Sequence, residues 1–341
     1  MKERNANRFI MQFHITGRCN LQCKHCYRTE GNVEPLSYDD VIGVIDQYEV
    51  LMSRYNREHG LDRKGQINIT GGEPFIRDDI FEIINYIGRH KLPFGVLTNG
   101  SFLTDRAIKC LKRNKVSIVQ LSIDGNCNTH DELRALGDYK RTFEIAAKLE
   151  AEGIKTLISF TANKNNYKEL SVVADECRKN KISKLWSDRL VPIGNGENLC
   201  ELEISKDIMP HYIKELKKAQ GDLLTKALYP KTQVAIERAL QFIDSDGSLY
   251  SCSAGDSLIT VDEFGHVMPC RRMPIICGNI FDSTLEDIYY NNDIFKQLRM
   301  KTIPKECMKC KFAFECRGGA KCQSYAKYND FNKADPSCPI V

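Results

Sequence analysis

Short apolar segments alternate with amphipathic ones over the first two thirds of the chain, and this alternation limits the fold more than any other feature. The apolar segments are rich in Ile, Val, Leu and Phe and end at Gly, Asn, Asp or Pro, which is typical of buried strands. Alternating strands and helices predict parallel strands joined by crossover helices. The predicted strands are Phe9–Thr16, Gln66–Thr70, Phe94–Thr98, Ser117–Ile123, Lys155–Thr161 and Ile182–Leu190. The predicted helices are Ser37–Arg57, Asp79–Arg89, Thr104–Arg113, Tyr139–Glu152 and Tyr167–Asn180. We therefore expect an α/β fold, a partial (β/α)6 TIM-like barrel that is short of the eight units of a closed barrel.

The rest of the chain does not continue this rhythm. Pro192 and Gly194 begin a loop, and Ile204–Ala219 and Thr232–Ile243 are predicted helices. From residue 248 onward the chain is loop-rich and cysteine-rich, so bound metal is expected to hold it together in place of an apolar core. We expect a barrel at 1–193, a helical bridging region at 194–247 and a cysteine-rich extension at 248–341.

Charge and composition exclude several partners. The 341 residues carry 49 Lys and Arg against 45 Asp and Glu, a balance that argues against nucleic acid or a membrane surface. No apolar run is long enough to span a bilayer, and Met1–Asn7 lacks the features of a signal peptide. We therefore expect a cytoplasmic protein, in which 15 cysteines indicate metal binding or catalysis more than disulfides.

One group of cysteines directly follows the first predicted strand. Cys19, Cys23 and Cys26 lie in the segment GRCNLQCKHCY, at a strand end where this architecture places its chemistry. Three thiolates can hold a 4Fe–4S cluster but leave one iron in need of an external ligand. The alternative is a zinc site with His14 or His25 as the fourth ligand.

The CxxxCxxC spacing, with His25 before the last cysteine, resembles the signature of the radical S-adenosylmethionine (SAM) superfamily. In that family the open iron binds the amino and carboxylate groups of SAM, and the ring before the last cysteine lies near the adenine. One electron then cleaves the sulfonium, and the resulting 5′-deoxyadenosyl radical removes a hydrogen atom from the substrate. The resemblance implies an enzyme with Cys19, Cys23 and Cys26 as the ligands of its catalytic cluster.

The second predicted strand ends in Gly71-Gly72-Glu73-Pro74, which resembles the family's turn at the methionine amino group. Two glycines let a backbone approach a ligand closely, although Gly-Gly before Pro is also an ordinary turn.

Later strand ends also resemble the family. Asn99 lies at the third, and Ser122 and Asp124 lie at the fourth, where the resemblance implies contact with the nucleoside. The alternative for Ser122 and Asp124 is a turn that closes the strand. Arg134 resembles an arginine that contacts the methionine carboxylate, with a solvated surface residue as the alternative, and Val191 is expected in the cofactor wall.

The cysteine-rich extension resembles the SPASM domain, which carries two auxiliary 4Fe–4S clusters. One departure is that Cys322 follows Cys316 where the family's spacing would place a cysteine at Ala320. The resemblance implies one outer cluster and one inner cluster, whose ligands are Cys307, Cys310, Cys316 and Cys338, and Cys252, Cys270 and Cys322, respectively. The fourth ligand of the inner cluster is left open: it is Cys277, or the iron stays open and can take a substrate thiolate. For the cysteine-rich extension as a whole, the alternative is one or two zinc ribbons.

The resemblance extends to enzymes that modify ribosomally made peptides by thioether or carbon–carbon crosslinks or by epimerisation. Sulfatase maturases of this class carry an acidic base after the cysteine that corresponds to Cys270, whereas Arg271 and Arg272 follow it here. Two arginines suit an acidic peptide or a carboxylate, and the alternative is a structural pair near the clusters. Cys127 and Cys277 are candidate hydrogen-atom donors for an epimerase.

We therefore expect a peptide maturase that acts on a leader-bearing precursor and takes electrons from a flavodoxin or a ferredoxin. Only Met1–Arg8 precede the first strand, so we expect the leader to be presented by a separate protein or bound by the barrel and extension. The alternatives are synthesis of a small-molecule, quinone or haem-type cofactor, and, in another class, a zinc-binding scaffold protein.

Overall fold

A parallel sheet forms the centre of the protein in this computed structural model, which describes residues 9–28, 36–62, 65–243 and 249–341. Six neighbouring strands follow chain order, as the alternation predicted, and each pairs in parallel with the next. They are β1 (Ile10–His14), β2 (Gln66–Thr70), β3 (Phe94–Leu97), β4 (Ile118–Ser122), β5 (Thr156–Ala162) and β6 (Lys184–Arg189). The predicted partial barrel is confirmed.

Amphipathic helices cover this sheet, because their apolar faces are buried against it. In the first helix Val41, Val44, Ile45 and Tyr48 are fully buried at the spacing of one helical face. Ser37 caps this helix in a reciprocal hydrogen-bonded pair with Asp40. The crossover helices are α1 (Tyr38–His59), α2 (Ile80–Arg89), α3 (Asp105–Arg113), α4 (Cys127–Leu133), α5 (Asp138–Ala151) and α6 (Leu170–Lys179).

Both edges of the sheet are extended by strands that the sequence did not indicate. At one edge β7 (Gln233–Ala235) pairs in parallel with β6. At the other, β8 (Leu258–Val261) pairs in parallel with β1, and β9 (His266–Met268) and β10 (Gly278–Asn279) continue it in antiparallel fashion. The cysteine-rich extension therefore shares one ten-stranded sheet with the barrel.

The prediction of a helix at Thr232–Ile243 is wrong. This segment forms β7 and then turns, and its Gln233 N–H donates to Ser183 O at 3.0 Å. Val234 and Ile236 are buried, so pairing with β6 and burial override the local helical pattern.

The predicted helix Ile204–Ala219 is shorter than expected. It begins at α7 (Met209–Gln220), with a proline in its first turn, and is followed by α8 (Leu223–Leu228). The described part of the bridging region, residues 194–243, is thus a mixture of helices, a 3-10 segment at Gly194–Leu202 and one strand.

The extension also contains α9 (Leu285–Asn291), α10 (Asp293–Arg299), α11 (Ala313–Cys316) and α12 (Lys321–Tyr328). A buried ion pair also joins the extension to the barrel: Arg189, at the end of β6, donates two hydrogen bonds to Asp335 at 2.8 and 2.6 Å. Gln323 of α12 also donates to Leu190 O at 2.9 Å. Over the described residues, no helix has the length and apolar character required to cross a membrane.

Candidate active site

The loop after β1 and the turn after β2 are joined backbone to backbone. Gly72 N–H donates to Thr16 O and Glu73 N–H donates to Arg18 O, both at 2.8 Å. A Cβ on Gly71 would lie 2.3 Å from Thr16 O, and one on Gly72 would lie 2.1 Å from Arg18 O. Gly71 also has φ of +136°, so only glycine allows this close approach. The cysteine loop and the Gly-Gly-Glu turn therefore act as one rigid unit.

Three thiols converge on this unit. Burial raises the pKa of Cys23 to about 11, and neighbouring Cys26 and Cys19 add to the effect while Arg134 opposes it. Such a group favours neutral thiols unless a positively charged metal core lies between them.

The two histidines proposed as zinc ligands have other neighbours. His14 Nδ1 lies 2.9 Å from Arg28 Nη1, and its Nε2 lies 3.4 Å from the Tyr27 hydroxyl. His25 Nε2 lies 3.2 Å from Asp124 Oδ2. Both ring nitrogens of His14 thus face protein groups, and the zinc alternative finds no support at His14, whereas at His25 only Nε2 is engaged in this way.

Asp124, Arg134 and His25 form a buried polar network beside Cys23. Arg134 Nε donates to Asp124 Oδ2 at 2.6 Å, and Arg134 Nη1 lies 3.7 Å from Cys23 Sγ. Asp124 Oδ1 accepts from Thr161 N–H at 2.7 Å. Burial alone would raise the pKa of Asp124, but Arg134 and His25 hold it well below its usual range. Arg134 is therefore a buried cation at the thiol group and not a solvated surface residue.

His25 also has a buried ring nitrogen available to a ligand. Its Nδ1 has no hydrogen-bond partner among the described residues. Since buried polar atoms are nearly always hydrogen-bonded, this atom fits a bound group with a polar edge.

The carboxylate of Glu73 accepts its hydrogen bonds from groups of the protein itself. It is fully buried and accepts from Thr98 Oγ1 at 2.7 Å, Asn99 N–H at 2.8 Å and Phe75 N–H at 3.1 Å. Burial raises the pKa of Glu73, and these hydrogen bonds oppose the rise. Glu73 thus ties the end of β3 to the turn after β2, and Pro74 begins a short 3-10 segment there.

The remaining predicted contacts lie at the same ends of the strands. Asn99 Nδ2 donates to Asn20 Oδ1 at 2.8 Å, which links β3 to the cysteine loop. Ser122 ends β4 half-buried. Val191 is buried in a second apolar cluster that also contains Cys270 and Cys322, so it packs at the extension's side of the barrel.

Cys307, Cys310, Cys316 and Cys338, the predicted ligands of the outer cluster, line one common cavity in the extension. Burial raises the pKa of Cys307 to about 11 and that of Cys316 to about 12, and Cys338 contributes to both shifts. Four thiols around a single cavity form a complete donor set for a cluster.

Cys252, Cys270 and Cys322 form the inner group. Burial raises the pKa of Cys322, Arg272 opposes the rise, and Cys270 and Cys252 add to it. Burial raises the pKa of Cys277 to about 12, and its thiol donates to Ile275 O at 3.4 Å. Cys277 packs against the main apolar cluster, whereas Cys252, Cys270 and Cys322 belong to the second cluster or pack against it.

Several residues near the inner group were missed from the sequence. Arg272 donates to Asp188 Oδ2 at 2.7 Å, and the half-buried Tyr250 lies within electrostatic reach of Cys252 and Cys322. Asp188 belongs to the segment that resembles the end of the sixth strand of the family, but its pairing with Arg272 was not expected, and Tyr250 belongs to no motif that could have identified it. The Arg271 guanidinium lies 5.4 Å from the centre of the Tyr27 ring, and so between the first and inner thiol groups.

Comparison with known families agrees with this geometry. The radical SAM superfamily profile matches residues 13–177, and an iron–sulfur cluster-binding domain profile, SPASM, matches residues 236–311. The chain belongs to the radical SAM superfamily. Both profiles together confirm the resemblance drawn from the motifs, including the SPASM domain.

Relatives of this radical SAM protein have more than one activity. The AdoMet-dependent heme synthase of Methanosarcina barkeri is 26% identical over 98% of this chain and 97% of its own length. The mycofactocin maturase of Mycolicibacterium smegmatis is 25% identical over 96% of this chain and 82% of its own length.

Solved structures share the fold at low identity. SuiB of Streptococcus suis bound to SAM has a TM-score of 0.71 at 18% identity, covering 98% of this chain and 78% of SuiB. The enzyme anSMEcpe with bound AdoMet has a TM-score of 0.76 at 18% identity, covering 97% of this chain and 90% of that one.

Proposed function

We propose that this radical SAM enzyme modifies a ribosomally made peptide, by a thioether or carbon–carbon crosslink or by epimerisation. The observation that carries the proposal is the pair of thiol groups attached to the barrel, in a fold shared with two proteins solved in complex with peptides. SuiB is solved with the precursor peptide SuiA, and anSMEcpe is solved with the Cp18Cys peptide. A leader-bearing precursor is the substrate we expect.

In this proposal Cys19, Cys23 and Cys26 hold the catalytic cluster. When reduced and bound to SAM, such a cluster supplies the electron that cleaves the sulfonium and generates a hydrogen-abstracting radical. Arg134 offsets negative charge at Cys23, and Asp124 fixes the orientation of its guanidinium.

The wall around the catalytic cluster would hold SAM. The turn Gly71-Gly72-Glu73 lies directly beside the cysteine loop. Its backbone carbonyls are proposed to accept hydrogen bonds from the amino group of SAM. His25 Nδ1 and the strand ends at Asn99, Ser122 and Asp124 are proposed to hold the nucleoside. Arg134 is proposed to meet the methionine carboxylate, and Val191 to close the wall.

The two other thiol groups are proposed to hold auxiliary 4Fe–4S clusters. Cys307, Cys310, Cys316 and Cys338 would bind the outer one, which has a full set of thiolates. Cys252, Cys270 and Cys322 would bind the inner one, leaving a position for a further ligand. A flavodoxin or ferredoxin is the proposed electron donor.

The division of the chain into a barrel, a bridging region and an extension, with boundaries after residues 193 and 247, also remains our proposal.

Arg271 supports a substrate with a carboxylate. Among the described residues it has no acidic partner, whereas Arg272 is paired with Asp188. An unpaired guanidinium between two thiol groups can bind a carboxylate in a bidentate manner. The same position cannot serve as the base that a sulfatase maturase needs, because an arginine is always protonated.

A haem-type substrate is the second candidate. It is favoured by the heme synthase relative, which matches this chain over almost the full length of both proteins. The propionates of a porphyrin would suit Arg271 as well as a peptide carboxylate would.

The test uses anaerobically reduced, cluster-loaded enzyme with SAM and two probes, the short peptide encoded beside the gene and Fe-coproporphyrin III. A change in the mass or chirality of the peptide, together with 5′-deoxyadenosine, is the expected result. Conversion of the porphyrin with an unchanged peptide would overturn the peptide proposal in favour of the second candidate. Arg271→Gln is expected to raise KM for the modified substrate while leaving substrate-free cleavage of SAM unchanged.

A further inference from the structure

His130 is a fully buried histidine on α4 that the function proposed above does not use. Its Nδ1 lies 3.1 Å from the backbone nitrogen of Asp124, just after β4, and its Nε2 lies 3.1 Å from Asp138 Oδ2, at the start of α5. A backbone N–H can only donate, so Nδ1 is the acceptor and carries no hydrogen. The ring hydrogen is therefore on Nε2, which donates it to Asp138.

The loop between α4 and α5 carries Arg134, and His130 closes this loop. The hydrogen bond from His130 to Asp138 joins the two helices across residues 134–137. The carboxylate of Asp131 holds the loop from a second side, because it accepts from two backbone N–H groups at the start of α5, at 2.7 and 2.9 Å. The backbone that carries Arg134 is thus fixed at both ends.

The same imidazole also holds the partner of Arg134. Asp124, whose N–H donates to His130, accepts from Arg134 Nε at 2.6 Å through its Oδ2. The Nη1 atom of this guanidinium lies 3.7 Å from Cys23 Sγ in the cysteine loop. His130 is therefore bonded to the segment that carries the carboxylate and also fixes the loop that carries the guanidinium. A shift of either segment would move the guanidinium away from the thiol group.

We propose that His130 is a positioning residue, which holds Arg134 and Asp124 in place beside the catalytic cluster so that the guanidinium meets the carboxylate of SAM. A hydrogen-bonded contact between a guanidinium and a carboxylate depends on geometry, so a small displacement weakens it. The inference rests on the proposed function, because it requires Arg134 to bind that carboxylate. His130 acts on SAM through the two residues that it fixes.

The test measures the Kd for SAM by equilibrium dialysis of the anaerobic, full-length, cluster-loaded protein, with the iron content determined in the same samples. His130→Phe keeps a ring of similar size and removes both hydrogen bonds. We expect the Kd to rise about tenfold, because loss of a group that orients a binding residue costs about 10–100-fold. The iron content should stay at the wild-type value, since the three thiols of the catalytic group are unchanged.

His59→Phe is the matched control, because the exposed ring of His59 at the end of α1 stacks on Tyr55 and a phenyl ring can do the same. Its Kd for SAM should change by less than about twofold. An equal Kd in His59→Phe and His130→Phe would overturn the inference.

A double-mutant cycle separates positioning from a general effect on the fold. Arg134→Gln removes the guanidinium and is expected to weaken SAM binding directly. If His130 acts through Arg134, then His130→Phe/Arg134→Gln should have a Kd within about threefold of that of Arg134→Gln alone. A larger further rise in the double variant would mean that His130 acts independently of Arg134, and the inference would be wrong.

His130→Asn takes the place of His130→Phe in this cycle if the phenylalanine variant loses iron or does not fold. The asparagine oxygen can still accept from Asp124 N–H, whereas the hydrogen bond to Asp138 is lost. The same limit of about threefold then decides the question. Wild-type affinity in Arg134→Gln would overturn the carboxylate contact and the inference together. A wild-type protein that held zinc and bound no SAM would contradict the proposed function itself, which is a separate outcome.

Discussion

The buried ion pair between Arg189 and Asp335 is the contact whose loss should weaken the protein most clearly. Their side chains are 2% and 0% exposed, so solvent contributes almost no screening. Asp335→Asn keeps the size of the side chain and removes the carboxylate that is hydrogen-bonded to the buried Arg189 guanidinium, so that Asp188, which acts on it only through electrostatic interaction, is the counter-charge that remains. The Arg189 Nε atom has no partner among the described residues, so the group cannot turn to another acceptor already in place.

The expected magnitude follows from this burial. Removing one partner of a buried pair costs about 3–5 kcal/mol. An asparagine at this position has one acceptor oxygen, so it can keep only one of the hydrogen bonds from the N–H groups of Ala320 and Ser337, which donate to different oxygens of Asp335 at 3.0 and 3.1 Å. We therefore expect a loss of about 3–5 kcal/mol from a total stability of about 5–15 kcal/mol.

Anaerobic urea unfolding of the cluster-loaded protein measures this loss, with circular dichroism and iron absorbance followed in the same sample. Arg189→Met/Asp335→Asn should be more stable than Asp335→Asn alone, because no uncompensated charge stays buried. Glu152→Gln, which removes one partner of the exposed pair with Lys112, is the control and should leave the midpoint unchanged. A double variant no more stable than Asp335→Asn would refute the electrostatic reasoning.

Three further predictions concern the cofactor sites. Gly72→Ala should abolish SAM binding in equilibrium dialysis, because its Cβ would collide with backbone, whereas Gly43→Ala, with nothing within 4 Å, should bind normally. Cys322→Ala should lose iron from the inner site by elemental analysis, and Cys277→Ala should retain the wild-type content; equal iron loss would contradict the three-thiol site. The lowered pKa of Asp124 means that its charge stabilises the fold above the unfolded pKa of about 4 and that this contribution is lost as pH falls below it. The stability difference between wild type and Asp124→Asn, measured by urea unfolding, should therefore shrink as the pH falls from about 5 to below about 4; a difference that stays the same over that range would contradict it.

Local sequence signals predicted the barrel well because each unit carries its own periodic pattern and caps. Ser37 and Thr104 both cap helices at the predicted places. The strand β7 could not be found in this way, because its three residues become a strand only by pairing with β6. Prediction from local pattern therefore failed where a distant partner decides the structure.

The same contrast between local sequence signals and long-range packing applies to the candidate site. Cysteine spacing and the Gly-Gly-Glu-Pro turn are local signals, and the structure brings Cys307, Cys310, Cys316 and Cys338 to one cavity. Tyr250 takes its position from packing between the barrel and the extension, so no motif marks it. The role of Glu73 stays a prediction, and the structure surrounds this residue with protein donors that the sequence did not indicate.

The central claim is that Cys19, Cys23 and Cys26 hold the cluster that cleaves SAM. The most direct test is to load the anaerobic protein with iron and sulfide, reduce it, add SAM and measure 5′-deoxyadenosine by mass spectrometry. We expect 5′-deoxyadenosine from the wild type and none from a variant with all three cysteines changed to alanine, which should still carry iron at its auxiliary sites. A colourless wild-type protein that contains zinc, or equal 5′-deoxyadenosine from both proteins, would contradict the claim.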